Sequence, residues 1–584
     1  MMMKADSKWT FSDLKKNLKK DFDKFPEVKV CVLGDAPTQL LAQALKGYGF
    51  LQNINYNIRE ADFDQIDRQL LDPASETYEF NPDFIIVYNS LEKLQQNFYK
   101  TDKLDKAQFA STFIQHLESL FSSVNRHASC RIIYLNFPES LDGIYGNYAN
   151  NIDYSFLYQI RKINLELMNM AIMFGNLSIC DVSVLSALLG KQSVFSATLY
   201  INSNLTFSLD FLPLLVKNMS DIMLSARGSF HKCIILDLDN TTWGGIIGDD
   251  GIENIQIGDL GIGKAFIQLQ YWVIQLKQRG IIVCVCSKNN EDVAREPFEK
   301  YPDMILKMDD ISVFMANWET KADNIRAIQA ILNIGFDSMV FLDDNPFERE
   351  FVKKEIPSIT VPDLPEDPAE YLLYLQSLNL FEISALSAED EKRTKQYQED
   401  AKRAVIKKGF TNEEEFLRSL EMVSEVNSFD KFSIPRVAQL TQRSNQFNLR
   451  TIRYSESDVE MLMNDKNALT FSYHLEDKYG QYGLISVVVL KKVKDKTLTI
   501  DNWLMSCRVL KRGMEKFVLN TIVDAARKNG FEWIEAEYIP TAKNSMVADH
   551  YKKLGFDALE KENHWQLNVG NYSKFEVYIQ KSKA

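Results

Sequence analysis

The stretch CIILDLDNTTWGG, residues 233–245, ends an apolar run with two carboxylates, Asp237 and Asp239. If a strand continues through them, residues two apart share a face, so both acids aim at one small volume. Like charges so close raise each other's cost of ionisation. The arrangement lasts only where a cation, a reaction or solvent at the strand end relieves it. Phosphoryl transfer to a carboxylate has matching needs: a nucleophilic acid, a second acid for the leaving oxygen, groups that hold the phosphate, and a divalent cation. Residues of each kind follow in order along the chain. Asp237 is the expected nucleophile and Asp239 the general acid and then base. Ser287 and Lys321 are the expected phosphate holders. Asp343 and Asp344 supply the acidic end of a magnesium site, which Asp237 and Asp239 complete, because hard magnesium takes carboxylate and water oxygens.

A second group of reactive residue types lies near the C-terminus. Cys507 stands beside Arg508, Lys511 and Arg512, and cationic neighbours lower a thiol pKa and favour the nucleophilic thiolate. It could carry an acyl group, or fill a strand as a small hydrophobe. Cys286, next to Ser287, is the competing thiol, although its run IIVCVCS reads as buried. The loop TQRSNQFN (441–448) offers Arg443, Asn445 and Gln446 to a ligand carboxylate or amide. Such an amide-rich loop could equally cap its own backbone.

These residues need a scaffold, and 584 residues are too many for one core; usual domain sizes suggest about three to five units. Hydrophobic content of 45% and charged content of 25% are ordinary for a globular protein. A formal net charge of -13 gives no electrostatic case for gripping nucleic acid or an anionic membrane. Seven scattered cysteines make neither a disulfide framework nor a repeated metal-ligand spacing. The six histidines lack helix spacing to one another, so no zinc site is assigned. Without a signal-like N-terminus or an apolar run long enough to span a bilayer, the expected location is cytoplasmic.

The first unit opens with the apolar strand VKVCVLGD (28–35) and the helical TQLLAQALKGYGF. Further strand-like runs at 84–90 and 131–138 alternate with helical stretches such as 105–124. This alternation predicts a parallel, doubly wound sheet. A second α/β unit has strands at 233–239, 281–287 and 338–344 and helices at 262–280 and 319–333. Its acids recur at strand C-termini, where open α/β sheets place ligands. The stretch 387–408, a charged helix of mixed sign, reads as a connector. The last unit has strand signals at 468–475, 483–493, 497–510 and 533–539, with a helix at 513–529. The expected domains are 1–228, 229–382, a helical connector 383–430, and 431–584.

Taken in order, DLDNT, SKN after a strand, a lysine and FLDD resemble the haloacid dehalogenase (HAD) superfamily. Its four motifs map onto Asp237, Asp239 and Thr241; Ser287; Lys321; and Asp343 with Asp344. Asn240, Lys288 and Asn289 within these motifs are assigned to substrate. More narrowly, DLDNTTWGGIIGDDG, VCSKNN, FLDDNPFERE, QLTQRSNQFN and EYIPTAKN resemble the FkbH-like family over nearly the whole chain. That resemblance implies a Rossmannoid HAD domain with a minimal cap, flanked by an SGNH-like, flavodoxin-like three-layer domain and a GNAT-like α+β domain. It also implies removal of phosphate from 1,3-bisphosphoglycerate and loading of the glyceryl group, as a thioester, onto the phosphopantetheine of an acyl carrier protein. The short stretch between Asp239 and the strand of Ser287 leaves little room for a cap, so the site stays open to a macromolecular partner, at some cost in water exclusion.

The C-terminal SCRVL, KRG and IPTAKNSMVADHYKKLGF resemble the GNAT superfamily, whose folds cradle a pyrophosphate and pantetheine at a helix N-terminus. Arg508, Arg512, Gly513, Asn544 and Tyr551 are the expected carrier or substrate contacts, and Tyr538 lies nearby; packing and turn formation are the plainer roles. Lys511 stands where the phosphate loop has its first glycine, which favours a bare phosphopantetheine over CoA. In the first unit GDAPTQ resembles the SGNH motif with Ala36 in place of the nucleophilic serine. Asp181 is followed by VSV and so lacks the histidine partner, and no ester hydrolysis follows. Three other readings stay open: an acyl-CoA-dependent acyltransferase fused to a phosphatase, a carrier-binding scaffold, and a general phosphatase of a small metabolite.

Overall fold

The computed structural model describes residues 9–582 except 63, 141, 387–395, 401, 402, 404–409, 411, 445 and 542, and only the backbone of 413, 443 and 507. Of the charged helix expected at 387–408, only 396–400 and 403 fall among the described residues. The chain divides into two compact units, Met1–Ser225 and Ala226–Ala584.

In the first unit, β1 (Glu27–Gly34), β2 (Asn55–Glu60), β3 (Phe84–Tyr88), β4 (Arg131–Leu135) and β5 (Leu177–Cys180) form one parallel sheet, ordered β2-β1-β3-β4-β5. This is the doubly wound order expected from the alternating pattern. Parallel strands bury both faces, and Val30 to Leu33, Phe84 to Tyr88 and Ile132 to Leu135 are all buried. Helices α1 (Gln39–Leu51), α2 (Phe109–His127) and α3 (Phe156–Met173) provide the crossovers. Ala36 is buried just past β1. The Asp181 carboxylate accepts Val184 N at 3.0 Å and Asn136 Nδ2 at 2.9 Å, so it caps its own helix.

The second unit contains a four-stranded parallel sheet of β6 (Cys233–Leu236), β7 (Ile282–Ser287), β8 (Val313–Ala316) and β9 (Met339–Leu342), ordered β8-β7-β6-β9. Side chains alternate cleanly between two cores. Ile234, Leu236, Val283, Val285, Val340 and Leu342 enter one, while Cys233, Ile235, Cys284, Cys286, Met339 and Phe341 enter the other. Helix α4 (Gly263–Gln278) connects β6 to β7, a helix at Glu291–Lys300 connects β7 to β8, α5 (Lys321–Leu332) connects β8 to β9, and α6 (Pro346–Glu355) follows β9. β6 stops at Leu236 instead of running through Asp239. Leu238 O accepts Thr241 N at 3.2 Å and Thr242 N at 2.7 Å, and Asn240 has φ of 53°, so the chain turns there.

The same unit carries a mixed sheet of eight strands, β10 (Met422–Asn427), β11 (Ala468–Asp477), β12 (Gly480–Lys494), β13 (Thr497–Met505), β14 (Trp533–Glu537), β15 (Asp557–Ala558), β16 (His564–Asn568) and β17 (Ile579–Lys581). Two corrections follow. The sheet begins at Met422 and not near 431, because β10 pairs antiparallel with β11 inside the stretch assigned to the connector. The strand expected over 497–510 ends at Met505, and Cys507 to Val509 form a 3-10 turn. β13 and β14 pair in parallel only over Thr497 to Thr499. Beyond that point Phe447 to Leu449 lies alongside β13, with Met505 N to Phe447 O at 3.0 Å and Leu449 N to Trp503 O at 3.2 Å. The helix of this domain is α7 (Met514–Lys528).

Candidate active site

β6, β7 and β9 end side by side: Ser287 is the last residue of β7, and Asp237 and the Asp343–Asp344 pair directly follow β6 and β9. Asp237 and Asp343 are buried, and the main-chain N–H of Asp237 donates to Leu342 O at 2.9 Å. Lys321, first residue of α5 and 4% exposed, places Nζ 2.9 Å from Asp237 Oδ2 and 2.5 Å from Asp343 Oδ2. Carboxylate oxygens of Asp237, Asp343 and Asp344 lie within 4.8 Å of one another.

The electrostatics follow from this crowding. Burial, then the charge of Asp237, pushes the Asp343 carboxyl up to about 7, and the same causes raise Asp344. Burial alone would lower Lys321, but Asp237 and Asp343 outweigh it and hold the ammonium above its ordinary value. Three carboxylates against one ammonium leave the site short of positive charge. An all-oxygen donor set suits a hard divalent ion such as magnesium.

Asp239 does not join that group. Its Oδ1 accepts Trp243 Nε1 at 3.0 Å and Ile247 N at 3.1 Å, and its Oδ2 accepts Asn289 Nδ2 at 3.2 Å. The expected side-chain role of Asp239 in holding metal is therefore corrected: the turn after Leu236 carries its carboxylate into an N–H cradle of its own. Burial is the main cause that raises its pKa.

The other expected residues are close at hand. Thr241 Oγ1 accepts Asp344 N at 3.0 Å and donates to Asp344 Oδ1 at 3.3 Å, tying the first motif to the last. Ser287 is buried at the end of β7. Asn240 Oδ1 accepts Gly245 N at 2.9 Å, and Lys288 Nζ reaches Glu348 Oε1 at 2.5 Å, so both engage their own chain.

Sequence reasoning missed three groups. Trp243 holds Asp239; Arg349 Nη1 donates to Asp343 O at 3.0 Å and Asp344 O at 2.6 Å; Tyr371 Oη donates to Asn240 O at 3.3 Å. The first two lie within a few residues of the acids they serve, and that proximity was the available signal. Tyr371 comes from a distant segment and left none.

Cys286 faces a core, its Sγ 3.7 Å from Lys321 O, and burial pushes its thiol well up. Both facts oppose a nucleophilic role. In the last domain, Arg512 pairs with Asp477 at 3.5 Å and Asp400 at 3.6 Å. Arg508 donates to Tyr482 O at 3.1 Å and to Gln396 Oε1. Gly513 caps α7 with φ of 79°. Asn544, expected to meet substrate, is instead consumed by its own chain. Its Nδ2 reaches Asn448 O and Ile539 O, both at 2.9 Å, and its Oδ1 accepts Thr541 N at 2.7 Å. Tyr551 is 1% exposed in an aromatic cluster with Trp503 and His550. Gln446 is half-buried. Asn445 and the side chains of Arg443 and Cys507 lie outside the described residues.

Comparison with known proteins adds the following. A family model described as "FkbH, N-terminal domain" matches residues 29–224. The solved N-terminal part of the protein BF1531 from Bacteroides fragilis, containing a phosphatase domain complexed with Mg, is 50% identical. That match covers 65% of this chain and 100% of that one, with a TM-score of 0.63. A ribosomal-protein alanine N-acetyltransferase from Escherichia coli is 15% identical over 25% of this chain and 94% of its own, with a TM-score of 0.20. An N-acetyltransferase from Staphylococcus aureus is 14% identical over 26% and 99%, also at 0.20. No curated protein matches.

Proposed function

The chain belongs to the FkbH-like family, and from that membership we propose that it is a magnesium-dependent phosphatase of the HAD type that also transfers a glyceryl group to a thiol. The observation that carries this reading is Asp237 paired at 2.9 Å with the buried Lys321 inside a three-carboxylate group. Asp237 attacks phosphorus through a carboxylate oxygen, and the bond from phosphorus to the leaving oxygen breaks as the new one forms. Asp239 gives its proton to that leaving oxygen, then takes one from the water that frees phosphate from Asp237. Lys321 stays protonated and offsets the charge of Asp237 and of the incoming phosphate. Thr241 and Arg349 hold the Asp343–Asp344 turn in place. Asp237, Asp343 and Asp344 would hold the magnesium ion, which neutralises phosphate oxygens when bound.

The donor proposed is 1,3-bisphosphoglycerate, and the acceptor is the phosphopantetheine thiol of an acyl carrier protein. An acyl phosphate is a mixed anhydride. A thiolate adds to its carbonyl carbon and expels phosphate, while Asp237 removes the other, ester-linked phosphate, so the two steps are separable. The thiol proposed to take the glyceryl group first is Cys507, beside Arg508 and Arg512 in the sequence, and attack of the phosphopantetheine thiolate on that thioester then passes the group to the carrier and frees the Cys507 thiolate; Cys286 is too deeply buried. CoA fits the last domain poorly. Arg508 and Arg512, the cations a CoA pyrophosphate would call on, are engaged by Tyr482, Gln396, Asp477 and Asp400.

Phosphate release with and without magnesium tests the reading on wild type and Asp237→Asn. Release that depends on both supports it, and release that survives Asp237→Asn overturns it.

A further inference from the structure

In the connector, residues 396–400 and 403 are helical. Counting from Gln396, Glu399, Asp400 and Arg403 follow at three, four and seven residues, so the four share one stripe of the helix. Each of them meets the last domain. Gln396 Oε1 accepts Arg508 Nη1. Glu399 lies against Gly480, so close that a Cβ there would overlap its carboxylate. Asp400 Oδ1 accepts Arg403 Nη1 at 3.0 Å and stands 3.6 Å from Arg512 Nη2. Arg403, its side chain 3% exposed, forks onto Asp477 at 2.8 and 3.0 Å. The opposite side of the helix holds the domain of β6 to β9. Tyr397 is buried in the core of Cys233 and Phe341, and Gln398 Nε2 donates to Asp309 O and Ile311 O, both at 3.0 Å.

The charges across the stripe are complementary. From the helix come Glu399, Asp400 and Arg403, together one net negative charge; facing them stand Arg508, Arg512 and Asp477, together one net positive charge. The fit is loose at the turn before α7. Among the described residues Arg508 donates to neutral oxygens, those of Gln396, Tyr482 and Ser506. Arg512 reaches its two acids only at 3.5 and 3.6 Å. A guanidinium on a charged acceptor ordinarily makes bonds of about 2.7–2.9 Å, often two in parallel, and phosphate oxygens match that fork. An anion there would form better bonds than the helix does.

We propose that the connector helix is a latch: it lends Gln396 and Asp400 to Arg508 and Arg512 in place of an anion, and a phosphate group that binds the two arginines releases the last domain from it. Tyr397 and Gln398 keep the helix on the other domain, so the release opens the face carried by Glu399, Asp400 and Arg403. Arg508 belongs to the turn Cys507–Val509, and release therefore frees the turn of the proposed thiol. Only this consequence rests on the proposed function; the latch itself does not.

Calorimetry and hydrogen exchange on the full chain test it, without magnesium and in an Asp237→Asn background so that no ligand is hydrolysed. Inorganic phosphate, phosphopantetheine and CoA are the probes, which separate a free anion, a carrier's arm and a CoA donor as the source of the phosphate group. Unphosphorylated pantetheine is the control. At least one phosphate probe should bind, lose its binding in Arg512→Gln, and speed exchange over residues 396–403, while pantetheine does neither. A latch closed nine-tenths of the time weakens apparent affinity about tenfold, so Asp400→Asn should bind the same probe about tenfold tighter. Gln396→Ala, which removes one neutral acceptor, should shift affinity the same way with less risk to the fold. Arg512-dependent binding without faster exchange overturns the proposal. So does affinity that both latch variants leave unchanged, or the absence of Arg512-dependent binding of every probe in wild type and in both latch variants.

Discussion

Replacing Lys321 with Met removes the one ammonium among the described residues that touches Asp237 and Asp343 and leaves buried carboxylates facing one another. Breaking such a cluster costs about 3–5 kcal/mol. Magnesium should restore part of it, so thermal melting of Lys321→Met should respond to magnesium more strongly than that of wild type. Trp243→Phe keeps an aromatic side chain, though a smaller one, and deletes the N–H that donates to Asp239 at 3.0 Å. If Asp239 protonates the leaving oxygen, the loss should depend on the leaving group. General acid catalysis is worth ~10²–10⁴-fold, so turnover of alkyl phosphates should drop about a hundredfold while that of nitrophenyl phosphate, whose nitrophenolate leaves without a proton, barely changes. An equal loss on both would assign Trp243 to packing alone. The acids at the strand ends were legible because their types and order are dictated by chemistry. The side chains that aim them were less so: a tryptophan after NTT or an arginine in a helix's first turn looks like any other until the fold brings it round.

At the scale of elements, strands apolar on both faces were readable, and edge strands were not. β2, with the sequence NYNIRE, and the four-residue β8 alternate or end too soon to stand out. β10, MVSEVN, carries a charge and an amide and was hidden beside a charged connector. The same limit misplaced Cys507, since nothing in TLTIDNWLMSCRVL marks the point where the strand gives way to a tighter turn. Packing of the short helix His550–Lys553 against β13 makes a further prediction. His550 is buried, 4.6 Å from Trp503 and 4.9 Å from Phe447 between ring centroids, and burial, then Lys553, lowers its pKa to about 3. The folded protein therefore keeps it neutral, while the unfolded chain takes up a proton below about 6.5. Stability is full above that pH and falls by about 1.4 kcal/mol per unit as pH drops from 6.5 towards 3. Denaturant unfolding at several pH values should show this slope in wild type and lose it in His550→Phe.

For the molecule as a whole, the acidic charge was readable from composition. Where the last sheet begins was not, because its first strand lies far from the others in sequence and is recognisable only through its pairing with β11. The division of labour proposed here places phosphate removal at Asp237 and the acyl group on Cys507 of the last domain. Mass measurement of the intact protein after incubation with magnesium and freshly made 1,3-bisphosphoglycerate tests that claim most directly. The account predicts a glyceryl adduct on wild type that vanishes in Cys507→Ala and persists in Cys286→Ala. Asp237-dependent phosphate release with no adduct on wild type would contradict the transfer and leave a phosphatase alone.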